Sequence, residues 1–124
     1  MKICVSSTGK DLNASVDQRF GRCQYFLIVD METMNVKIIS NESAMSSGGA
    51  GVQAAQIVAK EEVDLVITGN IGPNAFQILQ AAGIKVFTGA EGTVEDAIES
   101  YKKGTLRETG SANVESHSGL GGRN

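Results

Sequence analysis

The segment VDLVITGNIGPNAF, Val63 to Phe76, runs from a strand through a glycine turn into a helix. Val63 to Thr68 is a short apolar run rich in β-branched residues. Pro73, directly after Gly72, suits the first position of a helix, where its missing N–H costs nothing. Ala75, Ile78, Leu79 and Ala82 then keep the i, i+3, i+4, i+7 spacing of a buried stripe, and Gly83 fits the C′ position that closes the helix. The next apolar run, Ile84-Lys85-Val86-Phe87, turns this into a strand–helix–strand unit, the signature of parallel pairing with a right-handed crossover.

The same alternation extends in both directions. Downstream, Thr93 is an N-cap candidate with Glu95 and Asp96 in the first turn, where the helix dipole favours acids, and Val94, Ala97, Ile98 and Tyr101 form the stripe. Upstream, Ala50 to Lys60 is helical, with Gly51, Ala54, Ala55 and Val58 on one face. Before it, Tyr25 to Val29 and Val36 to Ser40 are strands joined by a short link that begins at Asp30. They read as a hairpin whose second member, carrying Lys37, is an edge. Lys2 to Ser6 reads as a buried first strand, while Ser7 to Gln24 shows neither helical nor strand periodicity. The order β-β-β-α-β-α-β-α predicts one α/β domain over residues 1–108: a mixed five-stranded sheet with helices on its faces. Residues 109–124, rich in Ser and Gly and carrying the single histidine, His117, read as a disordered tail.

Composition narrows the function. With 124 residues, 41% apolar side chains and a net charge of −3, the chain suits one globular domain with its own core. The acidic balance argues against a nucleic-acid footprint, which needs clustered positive charge. No apolar run approaches the roughly 20 residues of a membrane span, and the first residues read as a strand rather than a signal peptide, so a cytoplasmic protein is expected. Two cysteines cannot build a disulfide framework, and with one histidine they cannot supply a four-ligand zinc site.

Topology then places the loops. In one arrangement of the hairpin against the first strand, five segments converge on the carboxyl edge of the parallel strands, where open α/β sheets bind ligands. These are the loop with Ser7, Thr8 and Lys10; the segment Arg19 to Cys23; Ser47-Gly48-Gly49-Ala50-Gly51; Thr68-Gly69-Asn70-Ile71-Gly72; and Thr88-Gly89-Ala90. Three helix N-termini are expected to point there and, with Lys10, Arg19 and Arg22 set against Asp11 and Asp17, they favour an anionic ligand. Glycines at strand-to-helix turns are also ordinary turn chemistry, so each loop taken singly carries a purely structural reading. Cys4 alternates within a strand and reads as core. Cys23 follows Arg22 by one place and Arg19 by four, a setting that lowers a thiol pKa if the side chain is exposed; a buried cysteine entering the second strand fits as well. Gly9-Lys10-Asp11 lacks the features of a Walker A loop, there is no G-x-S-x-G elbow, and no set of carboxylates suits a two-metal nuclease. A binding protein without catalytic turnover is the expectation.

Val16-Asp17-Gln18-Arg19-Phe20-Gly21-Arg22-Cys23, followed by Tyr25 to Asp30, closely resembles the opening of the dinitrogenase iron-molybdenum cofactor biosynthesis family, the NifX-like domain also found at the C-terminus of NifB-type proteins. The likeness continues through Gly48 to Ala55, Val63 to Phe76, Gly83 to Val86 and Gly92-Thr93-Val94. It implies a ribonuclease H-like three-layer α/β/α sandwich. It also implies a non-enzymatic carrier for an anionic iron-sulfur-type cluster, with or without molybdenum, and cluster-assembly proteins as partners. On that resemblance Cys23 is the candidate metal ligand, with Arg19 and Arg22 as charge partners. Gly48, Gly49 and Gly51, with Gly69, Asn70, Gly72 and Asn74, would form the walls; Ser7, Thr8, Thr68 and Gly89 complete the expected edge. The histidine that nitrogenase-associated members often use has no counterpart in the expected domain.

Two other readings are open to the residues. Ser6-Ser7-Thr8-Gly9 after a first strand looks like a phosphate loop of a nucleotide- or flavin-binding module, although no helical stripe follows it. The edge strand at 36–40 could instead dock a partner in a regulatory domain.

Overall fold

The computed structural model describes residues 1–45 and 48–110. Ser47, His117 and the expected tail from residue 111 onward lie outside them. β1 (Lys2–Ser7) is the central strand of a five-stranded sheet ordered β3-β2-β1-β4-β5. It pairs antiparallel with β2 (Tyr25–Asp30), which pairs antiparallel with β3 (Val36–Ser40). On its other side it pairs parallel with β4 (Leu65–Ile67), and β4 with β5 (Lys85–Phe87). Ile3, Cys4 and Val5 are fully buried, as expected of a strand covered on both faces.

The period-2 alternation of the strands divides the core in two. Cys4, Phe26, Ile28, Val66 and Val86 face α1 (Ala50–Ala59) and α2 (Pro73–Ala81). Ile3, Val5, Leu27, Val29, Leu65, Ile67 and Phe87 face α3 (Val94–Lys102). The result is the expected three-layer α/β/α arrangement. Gly83 closes α2 with φ +78° in a Schellman pattern, its N–H donating to Gln80 O and that of Ile84 to Leu79 O. The hairpin turn is closed by Asp30 N–H to Asn35 O at 2.9 Å. β3 is the edge, with Val36 and Ile38 exposed and Lys37 paired to Glu61 at 2.8 Å.

Two features differ from expectation. A 3-10 turn, Glu42–Met45, precedes α1. Thr109, expected at the start of the tail, instead donates its N–H to Val86 O at 2.7 Å, next to a bridge between Glu108 and Phe87.

The link from Thr8 to Gln24 has no regular element, yet it is tied at several points. Asp17 N–H donates to Ser6 O, and Asn70 N–H to Gln18 O at 2.8 Å. The N–H of Phe20 donates back to Asn70 O, so Arg19 and Asn70 form a parallel bridge. Its partners are the strand ends and the helix starts, which is why its sequence carries no periodicity of its own.

Candidate functional site

A cleft of about 350 Å³ opens at the carboxyl edge of the parallel strands. Its walls are Arg19-Phe20-Gly21 from the long link, Gly49-Ala50-Gly51-Val52 at the start of α1, and Asn70 to Ala75 at the start of α2. The two helices come close because their facing residues are small: a Cβ on Gly51 would stand 3.5 Å from that of Ala75. The link is pressed onto α1 still more tightly, since a Cβ on Gly21 would lie 2.9 Å from both Cα and N of Gly51. Only glycine at position 21 allows that approach.

Both helix N-termini at the cleft are capped by glycine, Gly49 with φ +70° and Gly72 in the extended region, so neither cap residue has a side chain to offer. Their first-turn N–H groups and positive dipole ends face the same space. Among the described residues, Arg19 is the single charged one in the lining. Its side chain is 69% exposed, and its Nε lies 3.4 Å from the buried Asp17 carboxylate. The remaining lining is the amides of Asn70 and Asn74 and the apolar side chains of Val52 and Pro73; Phe20 and Ile71 also border it, but their side chains are buried in the core. Among the described residues, no three His, Cys, Asp or Glu side chains come together where they could hold a metal ion.

Of the residues expected from the sequence, Arg19, Gly49, Gly51, Asn70, Gly72 and Asn74 meet at this cleft. The others do not line it. Ser7 is buried and folds onto its own turn, its Oγ donating to Gly9 O at 2.8 Å and accepting from Gly9 N–H; the loop after β1 therefore does not form a phosphate cradle. Thr8 Oγ donates to Ser15 O. Thr68 is fully buried, sharing a 2.7 Å hydrogen bond with Ser6. Gly69 is packed against Gln18, and Gly89 donates its N–H to Gly69 O. Gly48 is exposed beside Gly49 but outside the lining. Arg22 Nη1 donates to Ala44 O at 2.9 Å, holding the 3-10 turn.

Two expectations are corrected. Cys23 is fully buried in the core shared with Phe20 and Phe26, its thiol donating to Phe20 O at 3.4 Å. Burial, with a contribution from the Asp17 carboxylate, pushes its pKa up to about 12 instead of down. The thiol does not face the cleft lining, and the ligand role expected of it has no support in this geometry. The N-terminus of α3 is likewise not part of the site. Its Val94 and Glu95 N–H groups donate to Ala14 O and Leu12 O, and a capping box joins Thr93 to Asp96. Two helix starts, not three, serve the cleft.

Asn41 is a residue that sequence reasoning missed. Buried just after β3, it donates from Nδ2 to Cys23 O at 2.8 Å and Gly21 O at 3.2 Å. It holds the back of the Gly21 wall, and nothing in the local sequence pattern marks it.

The comparisons agree with this fold. The dinitrogenase iron-molybdenum cofactor family matches residues 1–104. The structure of the apo form of the orange protein from Desulfovibrio gigas superposes with a TM-score of 0.88 at 41% identity, covering 91% of this chain and 96% of that one. A NifB-like protein of Thermotoga superposes with a TM-score of 0.78 at 36% identity, covering 91% and 98% of the two chains. An uncharacterized protein of Methanocaldococcus jannaschii is 31% identical over 97 residues, 76% of this chain and 82% of that protein. With the match running through every strand and helix that builds the cleft, the chain belongs to the dinitrogenase iron-molybdenum cofactor family.

Proposed function

We propose that the cleft carries an anionic metal–sulfur cluster of the iron–sulfur class, with or without molybdenum, as cargo passed between cluster-assembly proteins, and that the protein performs no catalytic turnover on it. The observation that carries this reading is the convergence of two glycine-capped helix N-termini and Arg19 on one cleft whose remaining walls are amides and apolar side chains. Backbone N–H groups and a guanidinium suit an anion. Apolar walls suit one of low charge density, because a sulfide-rich cluster gives up less hydration than phosphate when it meets Val52 and Pro73. Among the described residues the lining holds no carboxylate, histidine or thiol to act as acid, base or nucleophile, which supports a carrier over an enzyme. The cargo would be held by charge and hydrogen bonds and released intact. The sheet order 3-2-1-4-5 with β2 antiparallel supports the ribonuclease H-like reading of the fold. No helix among the described residues is long and apolar enough to cross a membrane; a cytoplasmic setting is proposed with this role.

The test is anaerobic reconstitution with iron and sulfide, or with thiomolybdate. Retention of metal and sulfide after desalting, with charge-transfer absorption in the visible, is the expected result. Arg19→Gln is expected to weaken retention about tenfold, the scale of one charge-assisted contact. A parent protein that keeps neither cargo after desalting would overturn the reading.

A further inference from the structure

Asp17 is out of place beside an anion site. Asp17 is 7% exposed and lies two residues from Arg19, the single charged residue that the described residues place in the lining. A buried negative charge there opposes an anionic cargo, so its presence calls for a compensating role. The hydrogen bonds supply one. Asp17 Oδ1 accepts from the backbone N–H of Arg19 at 2.9 Å and lies 3.4 Å from its Nε. One oxygen thus fixes both the main chain and the near side of the guanidinium. Asp17 is itself fixed, with its N–H donating to Ser6 O and its carbonyl accepting from Ser6 Oγ. The Arg19–Asn70 bridge holds the next link in the chain. Among the described residues the two Nη nitrogens of Arg19 have no partner, so the edge of the fork left by Asp17 is open to a ligand.

We propose that Asp17 is a positioning residue, whose buried carboxylate holds Arg19 through Nε and thereby keeps both Nη nitrogens available to an anionic cargo at the cleft rim. The inference rests on reading the cleft as an anion site and adds how Arg19 is aimed. It also accounts for an arginine at position 19: lysine, with a single ammonium, cannot engage Asp17 and a cargo through opposite edges of one planar group.

The experiment is a double-mutant cycle read by the dissociation constant of tetrathiomolybdate, titrated anaerobically against its visible absorption in the parent, Asp17→Asn, Arg19→Gln and the double variant. Asp17→Asn keeps an oxygen for the Arg19 N–H but removes the charge that holds the guanidinium. Electrostatics without positioning make that variant bind tighter; positioning makes it bind several-fold weaker. The double variant is expected to bind no more weakly than Arg19→Gln alone, because Asp17 acts through Arg19. Additive losses, or tighter binding by Asp17→Asn, would overturn the inference while leaving the cleft as an anion site. Arg19→Lys, at an exposed position, serves if Asp17→Asn fails to fold by thermal unfolding. It is expected to bind several-fold more weakly than the parent, and parent-level binding by Arg19→Lys would overturn the inference too. A parent chain that binds no tetrathiomolybdate and retains no iron and sulfide would remove both this inference and the reading beneath it.

Discussion

At the scale of single residues, position along the chain and position in space part company at Cys23. Two neighbouring arginines make the thiol look activated, but the Arg22 guanidinium reaches out to Ala44 O while the cysteine side chain turns into the core. Which way one side chain points is decided by the packing of Phe20 and Phe26, 5.2 Å apart, and not by its neighbours in sequence. The consequence is measurable. Folding raises the Cys23 pKa from the ordinary thiol value of 9.0 to about 12, so the unfolded chain loses that proton first. Stability from this group is fully present below pH 9.0 and falls as the pH rises towards 12. Between pH 8 and pH 10.5 the parent is expected to lose about 2 kcal/mol more unfolding free energy than Cys23→Ser, as measured by urea titration. Equal losses in the two proteins would show that the thiol is not held protonated. Gly21 and Asn41 make the same point from the other side. Both build the cleft wall, one by lacking a Cβ and one by anchoring two carbonyls, and neither role is visible without the partners.

At the scale of elements, the three helices have N-termini of two kinds. Thr93 and Asp96 close α3 with their own side chains, and the Leu12 and Ala14 carbonyls take its first N–H groups. The cap is legible in sequence; the carbonyls are not, since they arrive from a link without periodicity. The glycine caps of α1 and α2 leave the helix starts to whatever enters the cleft. Filling one of them separates stability from binding. In Gly72→Asp the extended backbone at the cap lets the new carboxylate accept first-turn N–H bonds of α2. This variant is expected to gain up to about 1 kcal/mol of stability and to lose cargo affinity by more than about tenfold. Thr93→Ala is the counterpart, costing about 1 kcal/mol while leaving cargo retention as in the parent. Thermal unfolding and desalting assays on the same two preparations check both. Loss of retention in Thr93→Ala would put the α3 start back into the site.

At the scale of the whole molecule, β1 lies between an antiparallel and a parallel neighbour with helices on both faces, while β3 and β5 sit at the edges. Amides of Ile3 to Val5 are expected to exchange only with global unfolding, and those of β3 well before them. Native-state hydrogen exchange with residue resolution checks this, and β3 protection equal to that of β1 would mean that the exposed face of Val36 and Ile38 is covered in solution. The element order, the five strands, the hairpin with its edge and most of each helix's buried face were determined by the sequence alone; on α2, Ala82, expected on the buried stripe, is exposed at the C-cap, and Phe76 is buried instead. Period-2 and period-3.6 patterns, glycine turns and a proline at N1 are local properties, written within a few residues of the structure they specify. Only the tertiary structure decided that six of the expected residues share a cleft, that Cys23 and the α3 start turn away from it, and that Asp17 stands behind Arg19. Those outcomes depend on where the 8–24 link docks, and its hydrogen bonds run to strand ends and helix starts brought near only when the sheet has formed.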